Sequence, residues 1–379
     1  MTKKFFTRLE DDLNSRKEKY LYRESGLYKN YQHNLASNDY FQLRSHPNVI
    51  NGIKKACEKY GSGSGASPLL SGFLQCHQDL LDEILNWKKK RSGMLFNSGF
   101  VANQALLKHL PGKKDLILAD RLIHHSLAQA LLQCPAKFKR YGHLDIPELE
   151  NLLRKYSKDF DTIFVVTESV FSMDGDYPDL KNLVQLKNIF PFILILDEAH
   201  GTGVFGKDGS GLAEEMGVLS EVDILVGTFG KALASMGAYV LANNSSIINY
   251  LTNVAGEYIY STFLAPSQVG AAHEAIKLLK NFDKQRDKIR KLSKYFRNSL
   301  EQNSLSYESP IIPVLIEDPK ETIILRDRLL EKGILVGAVR PPTVPGKTSR
   351  LRISLHSGVE KTLVDELLSF LNTWKKNIR

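Results

Sequence analysis

The chain has 379 residues, too long for one small core and long enough for two domains. Hydrophobic residues make up 42% and charged residues 25%, the composition of an ordinary globular protein. The formal charge of +9 is dispersed through helical-looking stretches such as Lys284-Gln-Arg-Asp-Lys288, with no basic block interleaved with aromatics; this argues against nucleic acid as partner and suits an anionic, phosphate-bearing substrate.

From Met1 to Asp12 there is no apolar signal-like core, and no later run approaches transmembrane length. The chain therefore reads as cytoplasmic, without a membrane span. A charged helix is predicted from Phe5 to about Lys19, and an irregular segment follows; residues 1–40 form an N-terminal arm. Gly61-Ser-Gly-Ser-Gly65 is a candidate linker. The three cysteines, Cys57, Cys76 and Cys134, have neither disulfide-framework nor metal-ligand spacing.

One pattern then recurs: a short apolar, β-branched run, a polar or Gly-rich break, and a helical stretch. The runs include Met94-Leu-Phe, Leu116-Ile-Leu, Thr162-Ile-Phe-Val-Val, Phe192-Ile-Leu-Ile-Leu and Asp223-Ile-Leu-Val. Unbroken apolar strands alternating with helices predict an α/β domain with a mainly parallel sheet covered on both faces, over residues 41–265. From Pro266 the texture changes. Helical periodicity runs from Gly270 to Asn303, short strands surround Ile311–Ile316 and Arg350–Leu355, and an amphipathic helix spans Val359 to Trp374. Residues 266–379 are expected to form a smaller α+β C-terminal domain.

In a parallel α/β sheet ligands bind beyond the C-terminal strand ends, so the polar residues after each apolar run carry the chemistry. After Ile193-Leu-Ile-Leu196 comes Asp197-Glu-Ala-His200-Gly-Thr-Gly203. Asp197 is either a helix cap or the partner of a buried cation such as a protonated ring nitrogen; His200 is either structural or a hydrogen-bond donor on the same side. After Asp223–Val226 comes Gly227-Thr228-Phe-Gly-Lys231, where a lysine set among small residues can offer a free amine for imine chemistry. Thr228 can place a hydroxyl near a phosphate. Asn97-Ser-Gly99-Phe100 reads as a Gly turn opening a helix, with free N–H groups suited to an anion. His124 could stack on an aromatic ring or lie on the surface, and Glu168-Ser-Val-Phe-Ser172-Met-Asp-Gly-Asp176 offers a hydroxyl. Each motif alone is ambiguous. Their coincidence at successive strand ends favours a pyridoxal-5′-phosphate (PLP) site held on Lys231.

At these residues the chain resembles the α-oxoamine synthases of the fold-type I PLP superfamily, from Asn34-Leu-Ala-Ser-Asn38-Asp-Tyr40 to the last helix. The resemblance is carried by Ser71-Gly-Phe-Leu-Gln-Cys-His77, Phe96-Asn-Ser-Gly-Phe100, Asp120-Arg-Leu-Ile-His124, Val170–Asp176, Asp197–Gly203, Thr228-Phe-Gly-Lys231 and Tyr260-Ser-Thr262. It implies an acyltransferase in which Lys231 is the covalent anchor and proton-transfer base and Asp197 binds the pyridine nitrogen. It further implies that His200 and Ser172 bind the phenolic oxygen, that His124 stacks on the ring, and that Gly99, Phe100 and Thr228 bind the phosphate. Thr262 would come from the second subunit of a homodimer. Asn38 and Arg352 would hold the amino-acid carboxylate, and Arg23 aligns with an arginine assigned to acyl-chain recognition.

Within the family, Arg340-Pro-Pro-Thr-Val-Pro345 followed by Arg350-Leu-Arg352 is most similar to the branch that joins L-alanine to a pimeloyl thioester, on CoA or a carrier protein, in biotin biosynthesis. The alternatives are a serine palmitoyltransferase or glycine C-acetyltransferase type, and more remotely a non-catalytic PLP-fold subunit. Three positions depart from the family pattern: Pro68 and Gly256-Glu257 stand where Arg is common, and Leu144 replaces the usual Asn in His143-Leu-Asp145. None belongs to the cofactor set; the first two bear on the acyl side.

Overall fold

The computed structural model describes residues 2–300 and 307–378. The chain begins with α1 (Thr2–Glu18), β1 (His33–Asn34), α2 (Pro47–Tyr60), α3 (Gln75–Trp87), β2 (Ser92–Phe96), α4 (Gly99–His109), β3 (Leu116–Asp120), α5 (His125–Gln133), β4 (Lys137–Tyr141) and α6 (Ile146–Tyr156). It continues with β5 (Ile163–Glu168), α7 (Leu180–Gln185), β6 (Ile193–Asp197), α8 (Leu212–Glu215), β7 (Ile224–Thr228), β8 (Ala238–Ala242), α9 (Ser245–Val254), α10 (Gly256–Ile259) and α11 (Pro266–Leu279). The remainder is α12 (Asp283–Ser299), β9 (Ile311–Glu317), α13 (Pro319–Glu331), β10 (Ile334–Leu335), β11 (Gly337–Val339), β12 (Ser349–Ser354) and α14 (Lys361–Ile378).

There are two compact units. The larger holds residues 39–172 and 176–290; the smaller holds those through Asn38, 173–175 and from Lys291 onward. The larger unit is built on a seven-stranded sheet in the order β2-β8-β7-β6-β5-β3-β4. Only β8 runs against its neighbours, β2 and β7. Every residue of β3, β5 and β8 is buried, so both faces of these strands are covered, as their unbroken apolar sequences require. The edge strand β4 differs: Lys137, Phe138, Lys139 and Arg140 are exposed, and such a charged edge discourages pairing with another chain.

Helix starts follow local chemistry. Asp145 caps α6 by accepting from Glu148 N–H at 2.8 Å, with Pro147 in the first turn and Arg154 and Lys155 in the last. Asp318 caps α13 in the same way through Glu321 N–H at 2.9 Å.

The helical stretch read from Gly270 breaks at Lys280–Phe282 into α11 and α12, and its residues 301–303 lie outside the described residues. α11 lies in the larger unit and crosses α2 at a pair of glycines. A Cβ on Gly52 would meet Gly270 O at 2.7 Å, and one on Gly270 would meet Ala56 Cβ at 2.8 Å. The chain passes between the units within α12. The Gly61–Gly65 stretch is not a linker between units: it lies inside the larger one, and the buried Ser64 hydroxyl donates to Leu264 O.

The smaller unit carries an antiparallel sheet, β11-β12-β9, and a two-residue parallel ladder between β1 and β10. α1 buries none of its residues, and Phe5, Phe6, Leu9 and Leu13 are exposed along it. Among the described residues no helix is long and apolar enough to cross a membrane, and no group of side chains could hold a metal ion.

Candidate active site

β2, β3, β5, β6 and β7 all end at the same edge of the large sheet, and the residues that follow them converge on a cavity of about 150 Å³. Six residues singled out from sequence line it: Gly99, Phe100, His124, Asp197, Thr228 and Lys231. Gly99 opens α4, which Ser98 caps by accepting from Val101 N–H at 3.2 Å. The N–H groups of Gly99 and Phe100, ahead of the capped Val101, have no intrahelical partner and can meet an anion. Across from them Thr228 Oγ1 donates to Gly237 O at 2.9 Å and accepts from Gly230 N–H at 3.1 Å. A Cβ on Gly99 would come into van der Waals contact with Thr228 Cβ at 3.7 Å and fill the gap between helix end and strand end that the glycine leaves open.

Asp197 is 5% exposed. Asn103 Nδ2 donates to its Oδ2 at 2.9 Å and Ala199 N–H to its Oδ1 at 2.8 Å. The same Asn103 amide donates to Ser126 Oγ at 3.0 Å, and Ser126 Oγ lies 2.7 Å from His124 Nδ1. Because Ser126 N–H also points at that nitrogen, at 3.2 Å, His124 Nδ1 accepts and Nε2 is left as the ring's N–H. One hydrogen-bond chain thus connects the imidazole on α5's cap, α4 and the carboxylate ending β6.

Asn103, Ser126 and Glu168 also line the cavity and went unassigned in the sequence. Asn103 sits one turn after Gly99, the only signal that could have raised it. Burial pushes the Glu168 carboxyl well above the usual carboxylate range. Asp197 adds to the rise, while Lys231 opposes it.

The other sequence candidates are not among the residues that line this cavity. His200 is buried with Nδ1 2.6 Å from the Tyr40 hydroxyl. Ser172 is half-buried within the loop after β5. That loop is tied to β3 by His143, whose Nδ1 is 2.9 Å from Asp120 Oδ1 and whose Nε2 is 3.0 Å from Asp176 Oδ2. Burial opposes charge on the ring, yet the two carboxylates prevail and push His143 up to about 10. Thr262 is exposed, and its carbonyl accepts from Asn97 Nδ2 at 2.8 Å.

In the smaller unit Arg352 is 7% exposed; its Nη1 donates to Ser354 Oγ at 2.8 Å and its Nη2 to Asn38 Oδ1 at 3.0 Å. Arg23 borders a second cavity, of about 810 Å³, together with Arg326, Arg340 and the apolar Leu27, Ile323 and Leu335. Arg23 Nη2 donates to Thr343 Oγ1 at 2.8 Å, and Arg340 Nη1 to Tyr20 O at 2.7 Å. Burial lowers the Arg340 value, and repulsion from Arg326 and Arg23 lowers it further. Arg326 is paired with Asp327 at 2.6 Å, and Glu24 also borders the cavity.

Of the departures from the family pattern, Glu257 pairs with Lys108 at 3.1 Å and His109 at 2.9 Å, both on α4. Leu144 takes a left-handed φ of 57°, which an Asn adopts more readily.

A helix N-terminus, an imidazole, a buried carboxylate and a lysine gathered at one edge of the parallel sheet make a site suited to a phosphorylated aromatic cofactor. Residues 31–371 match the family model for aminotransferase class I and II. The 8-amino-7-oxononanoate synthase of Geobacter sulfurreducens is 38% identical over 326 residues, 85% of this chain and 83% of that protein. A serine palmitoyltransferase from S. paucimobilis, solved with a PLP–myriocin aldimine, superposes with a TM-score of 0.86 at 26% identity, covering 91% of this chain and 87% of that one. The 8-amino-7-oxononanoate synthase of Francisella tularensis superposes with a TM-score of 0.79 at 30% identity, covering 91% and 98%. The chain belongs to the aminotransferase class I and II family, in its α-oxoamine synthase branch.

Proposed function

We propose that the chain is a PLP-dependent acyltransferase that condenses L-alanine with a pimeloyl thioester, releasing the carrier thiol and CO₂ and forming 8-amino-7-oxononanoate for biotin biosynthesis. The observation that carries this reading is the convergence of Lys231, Asp197, His124, Thr228 and the α4 N-terminus on one cavity. These residues fit the cofactor. The gap kept by Gly99 suits its phosphate, His124 its ring, Asp197 its pyridine nitrogen, and the Lys231 amine would anchor it. When bound, PLP supplies an electron sink for the electrons left at Cα.

The chain's own residues do the rest. The Lys231 amine takes the Cα proton from alanine and later returns one. Asp197 compensates positive charge at the ring nitrogen, a contribution that matters most in the transition state. His200 and Ser172 would serve the phenolic oxygen. Arg352, its guanidinium aligned by Asn38 and Ser354, would take the alanine carboxylate with its planar fork. Thr262 would act in the partner site of a homodimer.

The cavity beside Arg23 suits an acyl chain that ends in a carboxylate, since its lining sets the apolar Leu27, Ile323 and Leu335 beside the guanidiniums of Arg23 and Arg340. The test is a matrix of pimeloyl, acetyl and palmitoyl thioesters against L-alanine, glycine and L-serine. The highest kcat/KM is expected for the pimeloyl donor with L-alanine. A preference for palmitoyl-CoA with L-serine, or for acetyl-CoA with glycine, would replace the substrate assignment. Borohydride reduction followed by peptide mapping tests the anchor separately, and a label on any lysine but Lys231 would overturn it.

A further inference from the structure

Glu168 ends β5, and its partner across the parallel ladder is Asp197 at the end of β6. Neighbouring strands lie about 4.8 Å apart, so two carboxyl groups end side by side and border the cavity that also contains Lys231 and His124. Glu168 is 3% exposed. Its Oε1 accepts from the main-chain N–H of His124, the residue that caps α5. Asp197 is already served by two donors, the Asn103 amide and the Ala199 N–H. Two buried like charges side by side would be costly, and the pair avoids this when one of them keeps its proton.

We propose that Glu168 is a positioning residue: as an uncharged acid it holds the main chain of His124, and so sets the imidazole at the cavity, without adding a second negative charge beside Asp197. This rests on the PLP reading above. Burial, Asp197 on β6 and Asp120 on β3 favour the protonated form and prevail over Lys231 and the His124 N–H, which favour the charged one.

The inference makes Glu168→Gln and Glu168→Ala behave differently. In Glu168→Gln the amide keeps the acceptor for His124 N–H and the neutral charge. Reconstituted with PLP, it is expected to show the parent pH midpoint of the visible absorption change, and a PLP dissociation constant within about twofold of the parent. Loss of a real carboxylate charge beside Lys231 would instead move that midpoint by about one pH unit or more. Such a shift would overturn the proposal. In Glu168→Ala the main chain of His124 loses its acceptor, so the visible circular dichroism of bound PLP should fall at least by half and the dissociation constant rise about tenfold.

In a His124→Ala background the same Glu168→Ala change should leave the dichroism unaltered, because its effect runs through that imidazole. Undiminished dichroism in Glu168→Ala, or an equal loss in both backgrounds, would equally refute the role. Glu168→Gln preserves side-chain shape, so its midpoint decides the charge question even if the alanine variant fails to fold. A parent protein with no visible band after reconstitution would sink the cofactor reading itself, an outcome separate from any of these.

Discussion

Arg23 and Thr343 are 320 residues apart in sequence, and the Arg23 guanidinium donates to the Thr343 hydroxyl at 2.8 Å. Thr343 belongs to the Arg340-Pro-Pro-Thr-Val-Pro345 stretch, whose Arg340 is anchored on Tyr20 O. The stretch most similar to the pimeloyl branch is thus tied directly to the N-terminal arginine aligned with acyl recognition. If the chain's far carboxylate is bound there, Arg23→Ala removes a charge-assisted hydrogen bond of about 1.5–3 kcal/mol. For the pimeloyl donor, kcat/KM should fall about 10- to 100-fold, while a thioester of the same length without the terminal carboxylate should change little. Thr343→Val should cost less, since the guanidinium stays and loses only its tether. Equal losses for both donors would dissociate Arg23 from carboxylate recognition.

Asp197→Asn tests whether that carboxylate is more than a local cap. The amide has one acceptor oxygen for two donors, Asn103 Nδ2 and Ala199 N–H, and no charge to offer a ring nitrogen. PLP should still bind and give a visible band, whereas Cα–H exchange of L-alanine in heavy water should slow by about 10³-fold or more, on the scale of losing a major electrostatic contact to the transition state. Near-normal exchange would reduce Asp197 to a structural role.

Much of this architecture was legible because strands buried on both faces appear as unbroken apolar runs, as in Leu116–Leu118 and Ile193–Leu196. β4 escapes that pattern because Lys137, Lys139 and Arg140 face solvent at the sheet edge. The break between α11 and α12 carries no Pro or Gly, only Lys280-Asn281-Phe282, so periodicity ran through it. At the site, the strand-end residues could be found by position, and Glu168 at the end of β5 was among them without a role, but Asn103 and Ser126 could not. A helical Asn or Ser reads as a solvated side chain until folding brings α4, α5 and β6 together. Arg326 was hidden in the same way, inside the charged Arg326-Asp-Arg run of α13, and only the cavity identifies it with Arg23 and Arg340.

Leu144 turns the chain between β4 and α6 with φ 57° and donates its N–H to Asp120 Oδ2 at 2.9 Å. A branched side chain in the left-handed region costs roughly 1 kcal/mol, most of which Asn or Gly avoids. Leu144→Asn should therefore stabilise the protein by about 0.5–1 kcal/mol, seen as a higher urea midpoint at unchanged slope. A lower midpoint would mean that the half-buried leucine contributes more by packing than its backbone costs.

His143 makes stability depend on pH in a definite direction. Burial disfavours its charge, but the hydrogen bonds to Asp120 and Asp176 outweigh burial and push it up to about 10. In the unfolded chain the imidazole titrates near about 6.5. The folded state therefore binds the extra proton between those values. Its stabilisation is complete below about pH 6.5 and is lost as pH rises toward about 10. The ring is 20% exposed, so solvent screening reduces the loss to the order of 2 kcal/mol, less than the full shift would give. In His143→Gln the amide keeps one hydrogen bond but cannot titrate. The variant should melt below the parent at pH 6, and the gap between them should narrow steadily toward pH 10, in thermal unfolding of the PLP-loaded proteins at fixed ionic strength. A gap that stays constant or widens over that range would show that the imidazole bridges Asp120 and Asp176 without gaining a proton on folding.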